Sequence, residues 1–317
     1  MNAGQAAQLA LFLGVGVGVS FWSGTNFSLL ITLLLFVGFS TSWDLLGGWA
    51  GQTSLGHAAF VGIGAYALAL GTSRLGLDAV SALALGLGVA ALFALLWGSL
   101  TFGLRGSYFT LSTIAIAEVL RLVAINEAWF TGGSAGLFIS TLSEPFGLDL
   151  FDRRTEYYLA LAYAAGTVGC VMWVSRGPFG YAMRAVREDE AAAQAAGIDP
   201  TRVKLRAFAL SGMLTALGGG LYGAFLSFLD PHTLFFLPLS VQIALTAIIG
   251  GRGTVWGPAL GAALLVLAAE LFRSAFAEAN LLIYGLLILV VTLFSPRGLV
   301  GEAGHYLRRR RYAREQR

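Results

Sequence analysis

Residues 79–102 read AVSALALGLGVAALFALLWGSLTF, and none of their side chains carries a charge. About 20 consecutive apolar residues are enough to cross the roughly 30 Å hydrocarbon core of a bilayer as an α-helix. Similar runs recur along the chain, which is 57% apolar and only 12% charged, whereas soluble domains carry about 25% charged residues. The sequence therefore predicts an all-α fold, a polytopic bundle of transmembrane helices that forms a single domain over residues 1–317.

Hydropathy along the sequence predicts about ten spans. The run at residues 238–250 is short, so we expect that span to be tilted, broken or extended at its start. The N-terminal run has no Lys or Arg before it, which argues against a cleaved signal peptide and favours a retained span. The predicted spans are residues 6–22, 26–45, 56–72, 78–102, 107–129, 156–174, 207–229, 238–250, 256–274 and 279–294.

Basic residues are distributed unevenly between the predicted loops. If both termini are cytoplasmic, 15 of the 20 Lys and Arg residues lie on the cytoplasmic side, three lie outside, and Arg121 and Arg273 lie within spans. Such a bias is typical of the cytoplasmic loops of membrane proteins. The basic tail at 302–317 is predicted to be cytoplasmic and to bind anionic membrane lipid rather than nucleic acid.

Short sequence patterns recur in the same order in the two parts of the chain. They predict an internal parallel repeat of spans three to six onto spans seven to ten, and helical transporters are often built from such repeats. The alternative is chance similarity among helices rich in Gly and Ala. The matched pairs are GIGAYALAL (62–70) with GGGLYGAFL (218–226), RGSY and AEVLR (105–108, 117–121) with RGTV and AELFR (252–255, 269–273), and SRGPFG (175–180) with SPRGLVG (295–301).

Two pairs of opposite charges lie inside predicted spans. Glu118 and Arg121 are three residues apart, as are Glu270 and Arg273, and at this spacing a carboxylate and a guanidinium can pair on one helix face. Ionisable groups in the membrane are expensive and often functional. These four residues are therefore candidates for the polar lining of a translocation path, and the alternative is a structural ion pair buried between helices.

A polar, glycine-rich stretch, GGWAGQTSLG at 47–56, separates the second span from the third. Two structures fit it, a re-entrant segment or a helix break, because broken helices are tolerated in a membrane where they line a cavity. Asp44 and His57 flank the stretch, and Gln52 and Ser54 lie within it. We include these four residues among the candidates for the translocation path. His57 is otherwise expected to be a packed, hydrogen-bonded histidine.

Several kinds of chemistry have no support in the sequence. No G-x-x-x-x-G-K-[ST] pattern is present, so the chain does not bind ATP through a P-loop. Cys170 is the single cysteine and only three histidines occur, which leaves neither a disulfide framework nor a set of metal ligands. We predict that the chain binds no cofactor or metal and is not itself an enzyme.

One long polar segment lies between apolar spans, at residues 175–206, and we expect it to be a cytoplasmic docking surface. Its central residues are mostly good helix formers, and Gly197 followed by Pro200 is typical of a helix end. We predict one helix over Gly180–Ala196 that lies in a groove of a partner with apolar anchors and charges at the rim. The alternative is a solvated surface helix. The predicted apolar side chains are Met183, Ala185, Val186, Ala192 and Ala196, and the acidic patch is Glu188, Asp189 and Glu190.

Within this segment EDEAAAQAAGI, residues 188–198, resembles the EAA loop of bacterial ABC importer permeases. Glu190 lies seven residues before Gly197 rather than the usual six. With further motifs in the same order from about residue 40 to residue 300, the chain resembles the branched-chain amino-acid ABC permease family, and specifically its M-type subunit. Those motifs are GGWAGQTSLGHAAFVGIGAYA (47–67), GSYFTLSTIAIAEVLR (106–121), TGGSAGL (131–137), SRGPFGYAMRAVREDEAAAQAAGI (175–198), IIGGRGTVWGPALGA (248–262) and LFSPRGLV (293–300).

The resemblance implies a permease subunit of an ABC importer in the bacterial inner membrane, with ATP bound and hydrolysed on other subunits. The implied partners are a sister permease, two cytoplasmic ATP-binding subunits and an extracytoplasmic solute-binding protein. The implied substrates are leucine, isoleucine and valine. The alternatives are a related permease for urea, short amides or other amino acids, and an ion-coupled secondary transporter. The residues that the resemblance assigns to coupling with the ATPase are Arg184, Glu188, Asp189, Glu190, Ala192 and Gly197.

Overall fold

The computed structural model describes residues 3–22, 24, 26–103, 107–139 and 152–275, together with Gly285 and Gly298. Most of these residues are helical, as predicted, and the strands found among them are one antiparallel pair of two residues each. In chain order the elements are α1 (Ala3–Val19), α2 (Phe27–Asp44), a π-helical turn (Leu45–Trp49), α3 (His57–Ser73), α4 (Ala79–Thr101), α5 (Ser107–Asn126), α6 (Ala128–Thr131), a 3₁₀ turn (Gly133–Ala135), β1 (Leu137–Phe138), α7 (Arg153–Arg176), α8 (Pro178–Glu188), α9 (Glu190–Ala195), α10 (Pro200–Leu226), β2 (Phe228–Leu229), α11 (Pro231–Leu234), α12 (Leu237–Gly250) and α13 (Gly257–Ala275).

Helices in the described residues lie at nine of the predicted span positions, and the tenth, 279–294, lies outside those residues apart from Gly285. Six of the described helices are long and apolar enough to cross a membrane, and α1 and α3 are apolar but shorter. The chain is therefore a polytopic helical protein, whereas the count of about ten spans and the internal repeat stay predictions. The six are Phe27–Trp49, Ala79–Thr101, Ser107–Asn126, Arg153–Arg176, Pro200–Leu226 and Pro231–Gly250.

Side-chain caps determine where several of these helices begin. The side-chain oxygen Oδ1 of Asn26 accepts a hydrogen bond from the backbone N–H of Leu29, and the side chains of Asp78, Asp152 and Asp199 cap α4, α7 and α10 in the same way. The first N–H groups of a helix have no acceptor within it, so such a cap stabilises the helix by about 1 kcal/mol. Local sequence therefore defines these starts.

The stretch at 47–56 is a helix break. α2 ends in the five-residue π-helical turn Leu45–Trp49, hereafter the π-turn, and α3 begins at His57 after seven residues outside helix, 50–56. The short span predicted at 238–250 is extended at its start, because α11 and α12 follow one another with only Phe235 and Phe236 between them.

The core forms around α2, in which every residue from Leu34 to Asp44 is buried. α3 and α10 pack against each other through small residues: a Cβ built on Gly64 would lie 1.8 Å from the carbonyl oxygen of Ala216. Only glycine permits this approach of two backbones, which is typical of helix packing in membranes. The contact holds the middle of α3 against the middle of α10.

The loops gather at two ends of the bundle, in the arrangement that the predicted topology requires. At one end Arg187 donates to the carbonyl of Gly48, and the Thr110 hydroxyl donates to the carbonyl of Thr53. These residues lie in or beside loops predicted to be cytoplasmic. At the other end β1, in a loop predicted to be external, pairs with β2, which lies at the end of the predicted span 207–229. Which end faces the cytoplasm stays a prediction.

Candidate functional site

Residues 178–196 form two helices, α8 and α9, instead of the single helix predicted over Gly180–Ala196. The break is at Asp189, whose backbone is extended (φ −157°, ψ 114°). The Asp189 carboxylate accepts hydrogen bonds from the N–H groups of Ala191 and Ala192 at 2.8 and 3.0 Å. An aspartate that caps a new helix has a non-helical backbone and cannot also continue the previous helix. The predicted single helix is therefore interrupted at Asp189.

The predicted helix end at Gly197 is confirmed. Its φ of +84° lies in the left-handed region that favours glycine, and the following N–H, of Ile198, bonds to the carbonyl of Ala193, as in a Schellman motif. The residues assigned to coupling lie on the surface of this segment. Glu188, Asp189, Glu190, Ala192 and Gly197 are exposed, and Arg184 is half-buried.

The expected apolar anchors of the docking surface are not all available to a partner. Met183 and Val186 are 0% and 2% exposed and pack in a core cluster with Leu45 and Phe208 of the same chain. α8 thus uses its apolar face to dock onto its own bundle, and the face left for a partner is acidic and alanine-rich.

Lys204 makes an ion pair that the sequence interpretation missed. Its side chain is only 5% exposed and forms an ion pair with Glu190 of α9, which ties α9 to the first turns of α10. The signal was present, because Lys204 is the single lysine in a chain whose other basic residues are arginines. A buried charge is strongly destabilising when it loses its partner, so Glu190 has a structural task besides any contact with a partner.

A cavity of about 1000 Å³ opens beside these exposed residues. It lies between α9, the loop that follows the π-turn, and the start of α5, and it contains the candidate residue Gln52. The cavity therefore borders the residues assigned to coupling and one residue assigned to the path. Its lining includes Gln52, Thr53, Thr110, Glu188, Asp189 and Lys204.

Asp44 is fully buried at the end of α2. Both of its carboxylate oxygens accept a hydrogen bond from the backbone N–H of Gly253, at 2.9 and 3.0 Å. A buried carboxylate is tolerated when it is hydrogen-bonded, and here the partner is the turn between α12 and α13. The structure thus gives Asp44 a structural contact, and its place in the path stays a prediction.

His57 is also fully buried, and both of its ring nitrogens have partners. Nδ1 lies 3.1 Å from Oγ of Ser54, and Nε2 lies 2.8 Å from Oγ of Ser211. Because the Ser211 hydroxyl donates to the carbonyl of Ser42 at 2.6 Å, it accepts from His57 Nε2–H. A neutral imidazole therefore satisfies the whole chain of hydrogen bonds, and His57 is the packed, hydrogen-bonded histidine that the sequence analysis described.

The two predicted ion pairs form. Arg121 Nε lies 2.8 Å from a carboxylate oxygen of Glu118, and Arg273 Nη2 lies 2.7 Å from one of Glu270. Arg121 also donates to Nδ1 of His232, at 3.1 Å. Neither pair is buried inside this chain, because Glu118 is 51% exposed and Arg273 is 69% exposed.

Within the described part of the chain, no group of three or more His, Cys, Asp or Glu side chains is arranged to hold a metal ion. That the protein binds no cofactor stays a prediction. The chemistry that the described residues offer is docking through a charged surface, buried hydrogen bonds between helices, and charged pairs on outward helix faces.

The sequence matches the family model described as the permease component of the branched-chain amino acid transport system, over residues 25–292. The high-affinity branched-chain amino acid transport system permease protein LivM of Salmonella typhimurium is 30% identical, over 84% of this chain and 68% of its own. LivM of Escherichia coli is 29% identical over the same shares. The ribose import permease protein RbsC of Bacillus subtilis is 30% identical over 48% of this chain and 47% of its own.

Proposed function

Because the chain belongs to the family of permease components of branched-chain amino acid transport systems and matches its M-type subunits over most of its length, we propose that it carries leucine, isoleucine and valine across the inner membrane. It is a permease component of an ABC importer of this family and a multi-pass membrane protein. The ATP that drives transport is bound and hydrolysed by separate subunits, since this chain has no P-loop.

The choice of branched-chain amino acids as substrates rests on how much of the chain each relative matches. The match to LivM covers most of this chain, whereas the match to RbsC, whose name specifies ribose import, covers less than half of it. Urea, short amides and other amino acids remain alternative substrates within the same family. Selection among them is expected to depend largely on the solute-binding protein, which is a different chain.

The partners are a sister permease, two cytoplasmic ATP-binding subunits and an extracytoplasmic solute-binding protein. The exposed residues from Glu188 to Ala192, beside the large cavity, support docking of an ATP-binding subunit at this end of the bundle. We place this end, both termini and the tail at 302–317 in the cytoplasm, where the basic residues concentrate.

The outward face of α5 supports a translocation path beside this helix. Leu111, Val119 and Leu122 are exposed on α5, and Glu118 is exposed among them. A charged side chain that faces lipid is unfavourable: at the centre of a membrane helix it costs about 2.5–3.5 kcal/mol on translocon-insertion scales. α4, which is also outward-facing and apolar, carries no charge from Ala79 to Thr101. The charged pair favours α5, rather than α4, as the helix that lies against an aqueous path or the sister permease.

Uptake into proteoliposomes tests the proposed substrate. The four membrane-associated subunits are reconstituted with the solute-binding protein encoded beside them, and entry of radiolabelled leucine is measured with ATP inside or outside. We expect uptake only when ATP is present on the side of the membrane that carries the ATP-binding subunits, and we expect unlabelled isoleucine and valine to inhibit it. Inhibition by urea or ribose, with no effect of valine, would contradict the assignment.

A further inference from the structure

The π-turn lies at the point where three parts of the chain meet. π-helical turns are rare and occur frequently at functional sites. Leu45 and Leu46, in this turn, are fully buried and share a core cluster with Met183 and Val186 of α8. The turn is therefore packed against the inner side of the docking segment, which contains α8 and α9.

Two arginines of α8 hold the π-turn from the docking side. Arg187 Nη1 donates to the carbonyl of Gly48 at 3.0 Å, and the guanidinium of Arg184 lies 5.7 Å from the centre of the Trp49 ring. The first contact has a charged donor and is therefore stronger than a bond between neutral groups. The second is within the range of a cation–π interaction. Both contacts join α8 directly to the π-turn.

The π-turn also contacts the turn between α12 and α13, and Arg187 lies beside that turn too, since a Cβ built on Gly253 would be 2.8 Å from Arg187 Nη1. Asp44, which immediately precedes the π-turn, accepts the Gly253 N–H with both oxygens. A Cβ built on Gly48 would lie 1.9 Å from Asp44 Oδ1 and 2.4 Å from the Gly253 nitrogen. A side chain at position 48 would not fit between the π-turn and the Gly253 backbone, so the two turns are in close contact. Close-packed interiors transmit displacement for this reason.

We propose that the π-turn transmits movement of the docking segment to the Gly251–Gly253 turn, and through that turn to α12 and α13. The proposal rests on the proposed function, in which the docking segment follows the ATP-binding subunits. Arg187 and Asp44 are positioning residues in this scheme. α13 carries the ion pair of Glu270 with Arg273, so the connection runs from the docking segment to candidate residues of the translocation path.

A competing route through the same segment exists. The buried Lys204 pairs with Glu190 of α9, and movement that entered α10 by this ion pair would bypass the π-turn. The π-turn route depends on the side chain of Arg187, whereas the α10 route depends on the side chain of Lys204. Arg187 forms a hydrogen bond with the π-turn, and Lys204 belongs to α10.

Distance measurements between spin labels test the π-turn route. Labels at Leu96 on α4 and Leu260 on α13, both exposed, are introduced into a Cys170→Ser chain within the assembled transporter, with and without ATP. We expect ATP to shift the distance distribution in the parent protein and Arg187→Ala to reduce that shift by more than half. Arg202→Ala is the matched control, because Arg202 lies in the same polar segment and pairs with Asp199.

Retention of the ATP-binding subunits and basal ATPase activity are measured on the same samples, and Arg187→Ala is expected to keep both. A full shift in Arg187→Ala, or loss of the shift in Lys204→Met alone, would overturn the π-turn route. Loss of subunit binding in Arg187→Ala would also overturn it, since Arg187 would then act by direct contact. Failure of the parent chain to retain any ATP-binding subunit would contradict the proposed function itself, and the inference with it.

Discussion

The carboxylate of Asp44 accepts the backbone N–H of Gly253 with both oxygens, at 2.9 and 3.0 Å, across 209 positions of sequence. The contact is fully buried on the Asp44 side and lies at the end of the bundle that carries the docking segment. It joins the C-terminus of the central helix α2 to the turn between α12 and α13. The loops at this end are therefore fixed to one another by a specific polar contact.

Removal of the acceptor at position 44 is expected to destabilise the protein. Asp44→Ala leaves the half-buried Gly253 N–H without its acceptor, and we expect the free energy of unfolding to fall by about 1–3 kcal/mol. Asp44→Asn keeps an amide oxygen as acceptor and is expected to lose less. Thermal unfolding in detergent measures both, and a Tm for Asp44→Ala equal to that of the parent would show that the contact is dispensable.

The hydrogen bonds around His57 make a second prediction about stability. Ser211→Ala removes the acceptor of His57 Nε2–H and the donor to the Ser42 carbonyl, and we expect a loss of about 1–3 kcal/mol. Ser99→Ala is the matched control, because the exposed Ser99 hydroxyl bonds only to a carbonyl of its own helix. If both variants unfold at the same temperature as the parent, the buried hydrogen bonds contribute nothing measurable.

Substitution of Glu118 distinguishes an ion pair that lines the translocation path from one that is only structural. The pair of Glu118 and Arg121 is not buried inside this chain, so we expect Glu118→Gln to leave the amount of folded protein unchanged and to reduce amino-acid uptake by more than half. The exchanged pair, Glu118→Arg with Arg121→Glu, keeps a salt bridge but moves the carboxylate. A large loss of folded protein in Glu118→Gln, restored by the exchange, would instead assign the pair a structural role.

The topology predicts which introduced cysteines are accessible from outside the cell. In a Cys170→Ser chain, Leu75→Cys lies at the end predicted to be external and Thr201→Cys at the end with the docking segment, and both positions are exposed. A membrane-impermeant maleimide should label position 75 in intact cells and position 201 only after permeabilisation. Labelling of both in intact cells would refute the predicted orientation.

Local features of the sequence predicted most of the fold. The span positions follow from the length of the apolar runs, and the ion pairs of Glu118 and Glu270 follow from the i, i+3 spacing on a helix. The end of α9 at Gly197 follows from the one residue type that adopts φ +84° readily. Each of these features depends on residues close together in the chain, so a single sequence contains them.

Contacts between distant parts of the chain were not predictable in the same way. Met183 and Val186 were expected to contact a partner, but they are buried on the chain's own core, and periodicity alone does not say what an apolar face packs against. Gly253, the partner of Asp44, and Gly48, which accepts a hydrogen bond from Arg187, lie more than 100 positions away from those residues. Lys204 stands out in the sequence as the single lysine. Its pairing with Glu190 was not predictable, because it depends on how α9 packs against the start of α10.

The central claim is that the docking segment couples ATP hydrolysis to transport. Gly197→Pro tests it with little effect on the membrane helices, because a Cβ at Gly197 would have no atom within 4 Å while proline fixes φ near −65° instead of the observed +84°. The end of α9 is therefore distorted and the rest of the chain is not. Gly177→Ala is the matched control, since Gly177 has a φ of −79° that alanine adopts readily.

The most direct measurement is ATPase activity of the reconstituted transporter, with and without solute-binding protein loaded with leucine. We expect the loaded binding protein to stimulate hydrolysis in the parent and in Gly177→Ala, and to fail to do so in Gly197→Pro, although all three insert and assemble to the same extent. Full stimulation in Gly197→Pro would contradict the account, and residues 178–197 would then be a solvated surface segment with no part in coupling.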